Sequence, residues 1–181
     1  MSGARRWDVA VVGAGPVGLT LALLLVRAGL RVQVLEAGPD IAEELRASTF
    51  HPPTLDFLDR LGLAAPLVAQ GLVTPTWQIR MHETGERAEF DLSVLRDDTA
   101  HPYRLQAEQH KLSRLLLAAL PAGTVRFGTA VEEVVQQEDC VSLRLADGSA
   151  TEAAWVVGCD GARSVVRRAM GLGFSLPSLP P

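Results

Sequence analysis

Trp7-Asp8-Val9-Ala10-Val11-Val12-Gly13-Ala14-Gly15-Pro16-Val17-Gly18 is the stretch whose reading decides the fold. Trp7 to Val12 is a short apolar run suited to a strand buried on both faces, as in a parallel sheet. A turn follows at once. Pro16 fits the first helical turn, where its missing N–H would have no partner anyway, and Val17 to Ala28 reads as a helix ending at Gly29. Arg31 to Leu35 supplies the next strand, with Val32, Val34 and Leu35 apolar. Strand, helix and strand within about thirty residues is the size of one βαβ unit.

Gly13, Gly15 and Gly18 make a G-x-G-x-x-G pattern between that strand and that helix. Gly13 permits the tight turn, Gly15 lets backbone approach a pyrophosphate, and Gly18 lets helix and strand pack closely. With Ala14, Pro16 and Val17 they form the entry to a helix N-terminus, whose unpaired N–H groups and partial positive charge suit phosphate. Glu36 follows eighteen residues after Gly18. At the end of the second strand its carboxylate can accept from both hydroxyls of a ribose, and it disfavours a 2′-phosphate. FAD and NAD both satisfy this pattern, and spacing does not separate a tightly held flavin from a diffusing nicotinamide.

Composition narrows the alternatives. With 181 residues, 48% of them hydrophobic, the chain is long enough for a real core. A net charge of −4, from 17 basic and 21 acidic residues, offers no positive stripe for nucleic acid or an anionic membrane, so neither is expected as a partner. Val9 to Val26 carries no charge and follows Arg5 and Arg6, which mimics a signal sequence or a membrane span. The breakers Gly13, Gly15, Pro16 and Gly18 within it argue for strand, turn and helix instead. Cys140 and Cys159 have no C-x-x-C spacing, which points to a reducing, cytoplasmic compartment. His51, His82, His101 and His110 are scattered without a nucleophile motif or an i, i+4 pair; structural or surface roles are expected, with no metal site and no catalytic residue assigned.

Further along, Leu55, Leu58 and Leu61 predict a helix after Pro52-Pro53 that stops at Gly62. Thr76 to His82 and Arg87 to Leu92 flank a glycine-containing turn and predict a hairpin. Leu112, Leu115, Leu116 and Ala119 have helical spacing and end at Pro121. Val125 to Val135, broken near Gly128, Val141 to Leu145 and Thr151 to Val157 predict three strands, the last two joined by Ala146-Asp147-Gly148-Ser149. A short helix is expected after Gly161.

Three further segments resemble the FAD-dependent aromatic hydroxylases, the group A flavoprotein monooxygenases. Arg46-Ala47-Ser48-Thr49-Phe50-His51-Pro52-Pro53-Thr54-Leu55 is similar to the loop after the ribose-binding acid, whose arginine reaches FAD in that family. Pro102-Tyr103-Arg104-Leu105-Gln106-Ala107-Glu108-Gln109 places Gln106 where the family has a glutamine contacting the ribityl or phosphate region. Val156-Val157-Gly158-Cys159-Asp160-Gly161-Ala162-Arg163-Ser164-Val165-Val166-Arg167 is similar to the family's "DG" motif, with Asp160 and Gly161 on a strand-to-helix turn near FAD and the route of NAD(P)H. Val131 resembles the position whose backbone meets adenine. Plainer roles are open to each: a solvated arginine, a polar loop or capping residue for Gln106, a helix cap for Asp160, and core for Val131.

The resemblance implies an α/β, Rossmann-like FAD-binding domain with a parallel sheet, an added β-meander and the start of a substrate-domain hairpin. It implies one incomplete FAD-binding domain over residues 1–181, with 72–100 contributing to the substrate-binding sheet. The family's later Gly-Asp motif and most of its substrate-covering sheet have no counterpart before Pro181, so a fragment, a truncated product or one part of a split protein is expected, with a C-terminal complementing chain or region as partner. The implied function is hydroxylation of a small aromatic or phenolic substrate, with FAD as cofactor and NAD(P)H as reductant. Two other readings are a flavin-dependent reductase or dehydrogenase without oxygen insertion, and a nucleotide-binding module that acts with a partner chain.

Overall fold

The computed structural model describes residues 6–44 and 47–173. In chain order these form β1 (Trp7–Val12), α1 (Pro16–Arg27), β2 (Val32–Leu35), β3 (Thr49–Phe50), α2 (Pro52–Arg60), α3 (Ala64–Val68), β4 (Leu72–Thr74), β5 (Thr76–Arg80), β6 (Arg87–Asp91), β7 (Arg104–Gln106), α4 (Gln109–Ala119), β8 (Val125–Arg126), β9 (Val131–Gln136), β10 (Val141–Leu145), β11 (Ala150–Gly158) and α5 (Val165–Ala169). Short 3-10 turns lie at Leu92–Leu95 and Gly161–Arg163. The chain divides into two compact units, residues 1–42 with 116–181, and residues 43–115.

The first unit is built on a six-stranded sheet in the order β8-β2-β1-β11-β10-β9. β1 pairs parallel with β2 and β11, and β2 with β8. β9, β10 and β11 pair antiparallel in succession, giving the expected meander. Val9 to Val12 and Val32 to Leu35 are buried throughout, which requires cover on both faces of the parallel strands. α1 supplies part of it, burying Leu19, Ala22 and Leu23 at helical spacing. Ala10 and Leu35 meet Leu143, Leu145 and Ala153 of the meander in one cluster, rimmed by Trp7, Val131, Val134 and Val156. Each such buried leucine contributes about 1.5–3 kcal/mol.

The break expected near Gly128 within residues 125–135 is present, separating β8 from β9, and sheet position explains it. β8 lies at one edge of the sheet beside β2 and β9 at the other edge beside β10, so one continuous strand could not serve both neighbours. The uncharged run from Val9 to Val26 resolves into β1, the glycine turn and α1. No helix among the described residues is long and apolar enough to cross a membrane.

The second unit contains a three-stranded antiparallel sheet, β3-β7-β4, and the hairpin β5-β6. The hairpin matches the sequence reading, and Trp77 stacks on Phe90 across it with ring centres 4.4 Å apart. α2 starts at Pro52 and buries Leu55 and Leu58. Its Asp56 Oδ1 accepts the Thr99 hydroxyl and lies 2.7 Å from His101 Nδ1. His101 is buried there, its ring edge-on to Tyr103.

Candidate functional site

The glycine turn joins β1 to α1 in the first unit. Gly13 has φ +103°, a conformation that side-chain-bearing residues rarely adopt, and a β-carbon there would lie 2.5 Å from the Cys159 carbonyl oxygen. Its requirement for glycine therefore comes from the Cys159-Asp160 backbone as well as from the turn. At Gly18 a β-carbon would overlap the Gly13 carbonyl oxygen, so the first turn of α1 sits directly on the turn below it. Gly15 differs from both: a β-carbon there would meet nothing within 4 Å.

That open space lies at the N-terminus of α1. Gly15 is its N-cap residue, Pro16 stands in the first turn, and no side chain caps the helix or places an acid there. Ala14 is buried, and Val17 is 70% exposed beside the opening. Backbone N–H groups at such a terminus suit an anion.

Glu36 is held from four directions. Its Oε2 accepts the Ala14 N–H at 2.7 Å and its Oε1 accepts the Gly38 N–H at 2.8 Å. Its own N–H donates to Arg126 O at 2.9 Å, and its carbonyl accepts from Thr129 N–H at 2.7 Å. Each carboxylate oxygen retains a lone pair for a further donor, such as a sugar hydroxyl. The Arg126 to Thr129 segment and Gly38 had no sequence signal, because their role is carried by backbone groups. Val131 follows that segment at the start of β9, with its side chain packed against the core cluster.

Asp160 follows the end of β11, where Cys159 N–H donates to Val12 O at 2.8 Å and brings the motif beside the glycine turn. Asp160 Oδ2 accepts the Val165 N–H at 2.7 Å, so the carboxylate braces the 3-10 turn that Gly161 opens. The cap of α5 is Ser164, whose Oγ accepts the Arg167 N–H. The short helix expected directly after Gly161 is thus a 3-10 turn followed by α5. Asp160 Oδ1 is buried and has no hydrogen-bond partner among the described residues. Burial, and next the Asp160 charge, push the Cys159 thiol pKa above its ordinary value.

Gln106 belongs to the second unit and ends a strand rather than capping a helix. β7 is held between β3 and β4, with Thr49 and Leu72 opposite Gln106. The Gln106 Oε1 accepts the Thr49 hydroxyl at 3.0 Å. Gly71 enters β4 so close to β7 that a β-carbon on it would lie 2.7 Å from the Gln106 carbonyl oxygen. Arg46 lies outside the described residues.

An uncapped helix terminus with open space at Gly15, a carboxylate with spare lone pairs and a buried, unsatisfied carboxylate oxygen together fit a dinucleotide that offers phosphate oxygens and hydroxyl donors. Comparison with known proteins agrees with that chemistry. The family model described as FAD binding domain matches residues 6–178. Para-nitrophenol 4-monooxygenase of Pseudomonas sp. strain WBC-3 is 40% identical over 173 residues, 92% of this chain and 43% of that protein. 6-Hydroxy-3-succinoylpyridine 3-monooxygenase HspB of Pseudomonas putida is 42% identical over 166 residues, 88% of this chain and 42% of that protein. The crystal structure of p-nitrophenol 4-monooxygenase PnpA from Pseudomonas putida superposes with a TM-score of 0.86 at 38% identity, over 94% of this chain and 45% of that one. The chain spans less than half the length of these proteins.

Proposed function

Since this chain belongs to the FAD binding domain family, we propose that it holds FAD in a flavoprotein monooxygenase that hydroxylates a small aromatic or phenolic substrate. The observation that carries the reading is the conjunction of the open, uncapped N-terminus of α1 with the Glu36 carboxylate tied to Ala14 in the same turn. Gly15, Val17 and Gly18 would present backbone N–H groups to the diphosphate, on a turn shaped by Gly13, Ala14 and Pro16. Glu36 would accept from the adenosine ribose hydroxyls with its remaining lone pairs, and the start of β9 at Val131 would border the adenine.

Asp160 Oδ1, at the turn opened by Gly161, would gain a donor from the cofactor or from a water ordered by it. The Gln106 amide would remain anchored through Thr49 while its nitrogen donates to the ribityl or phosphate region, and Arg46 would supply a cation. FAD, when bound, supplies the redox chemistry: it accepts reducing equivalents from NAD(P)H and uses dioxygen to oxygenate an aromatic ring. The chain's own contribution is binding, orientation and exclusion of water.

Residues 72–100 are proposed to contribute to the substrate-binding sheet, completed by a C-terminal region or chain. The free thiols of Cys140 and Cys159 fit a reducing, cytoplasmic setting. The test is oxidation of NADH and of NADPH by the full-length protein with 4-nitrophenol under isotopically labelled dioxygen. Label in the phenolic product supports the monooxygenase. Strict coupling to reduction of another acceptor, with no label inserted, favours a reductase and overturns the reading.

A further inference from the structure

β7 carries a second polar side chain on the face that bears Gln106. Arg104 and Gln106 lie two residues apart on the strand and share a face, while Leu105 between them is fully buried on the other. Across the ladder Thr74 stands opposite Arg104 and Leu72 opposite Gln106. Leu72 is 73% exposed, so this face combines a cation with an open apolar side chain. The Arg104 guanidinium lies 5.7 Å from the centre of the Trp77 ring, which is itself stacked on Phe90. Its Nε is buried and has no hydrogen-bond partner among the described residues.

A buried N–H without an acceptor is unfavourable, and it calls for a partner from outside the protein. The aromatic contact holds the guanidinium beside the Trp77 ring, and a planar donor fork suits an oxyanion. Leu72 and Trp77 beside it suit a ring. We infer that Arg104 binds the anionic oxygen of an aromatic substrate, a phenolate or an aryl carboxylate, and so sets the enzyme's preference for an ionised ring. This rests on the reading of the chain as part of an aromatic hydroxylase. A cofactor phosphate shares the anionic chemistry, but the uncapped N-terminus of α1 already offers donors to it, whereas Arg104 lies against the Trp77 ring with the exposed Leu72 on its face.

The test uses the full-length protein with FAD in excess, 4-nitrophenol as the ionisable probe and nitrobenzene as its neutral counterpart. Arg104→Met is expected to weaken 4-nitrophenol binding by about tenfold or more, the share of a charge-assisted hydrogen bond. Nitrobenzene binding, FAD affinity and the unfolding midpoint should stay at wild-type values, and Arg104→Lys should fall between. Equal loss for both probes, or no loss, overturns the assignment, as does absence of 4-nitrophenol binding to the wild-type protein. Loss of FAD affinity with 4-nitrophenol binding retained gives the arginine to a cofactor phosphate and also overturns it. Should Arg104→Met fail to fold, the wild-type protein decides: bound 4-nitrophenol should keep its yellow phenolate band to lower pH than the free phenol, and a shift towards the neutral phenol on binding contradicts the inference. A wild-type protein that binds the phenolate as expected but does not take up FAD supports the role of Arg104 and overturns only the cofactor reading.

Discussion

The Glu36 carboxylate accepts the Ala14 N–H at 2.7 Å, which locks the end of β2 to the glycine turn across 22 residues of chain. Two parts of the proposed nucleotide site are thereby held in register before a ligand arrives. Removing the carboxylate should loosen both.

Glu36→Ala is expected to weaken ADP binding by about 1.5–3 kcal/mol, the range for hydrogen bonds to a charged group, and to lower stability because Ala14 and Gly38 lose their acceptor. Glu43→Ala is the control. Glu43 meets Arg114 in an exposed ion pair, and such pairs contribute less than about 1 kcal/mol. Calorimetric titration with ADP compares them; equal affinities would remove Glu36 from the ribose.

Gly18→Ala and Gly15→Ala should separate packing from binding. At position 18 the new methyl overlaps the Gly13 carbonyl, and forcing a group into packed backbone costs about 1–3 kcal/mol or more. At position 15 the methyl enters open space with φ −70°, so a slightly poorer helix cap is offset by a less flexible unfolded chain. Thermal melts should show a large loss for the first and a midpoint near wild type for the second. Equal losses would mean that the turn packs differently.

Acid stability should depend on Asp56. Its carboxyl pKa is held below the ordinary value, first by the hydrogen bond from His101 and then by that from Thr99. A group with a lowered folded-state pKa contributes stability that is fully present above its unfolded pKa, about 4, and is lost as pH falls through the folded value. Asp56→Asn should flatten that part of the acid limb of stability, measured by urea midpoints at decreasing pH. An unchanged limb would show that the pair does not couple to folding.

Cys159 should alkylate slowly at neutral pH. Burial and the neighbouring Asp160 charge raise its thiol pKa, and the thiolate is the reactive form. Mass-spectrometric rates with iodoacetamide should be below those of a free cysteine and climb with pH beyond the usual thiol range. Rapid labelling at neutral pH would contradict the packing of β11 against the glycine turn.

Much of the first unit was legible because its signals are local. Trp7 to Val12 and Val141 to Leu145 are strands with the bounds read from apolar patterning, and Pro16 occupies the first turn of α1 as its chemistry requires. The second unit was less legible. β3 and β7 are two and three residues long and exist only because Thr49 and Phe50 pair with Gln106 and Leu105 far along the chain, which no local period records. For the site, Glu36 could be placed from its spacing, but the bracing of its backbone by Arg126 and Thr129 could not, since main-chain groups leave no mark on residue type. Asp160 was legible as part of a motif, and its division into one satisfied and one unsatisfied oxygen needed coordinates.

The central claim is that the glycine turn of this chain holds the diphosphate of FAD, and competition tests it most directly. FAD binding is followed by quenching of flavin fluorescence, with ADP as competitor, for wild type and Gly15→Ala. The account expects one FAD per chain, displacement by ADP, and weakening of FAD and ADP by the same factor in Gly15→Ala at unchanged thermal stability. FAD binding that ADP does not displace, or that Gly15→Ala leaves untouched, would contradict it.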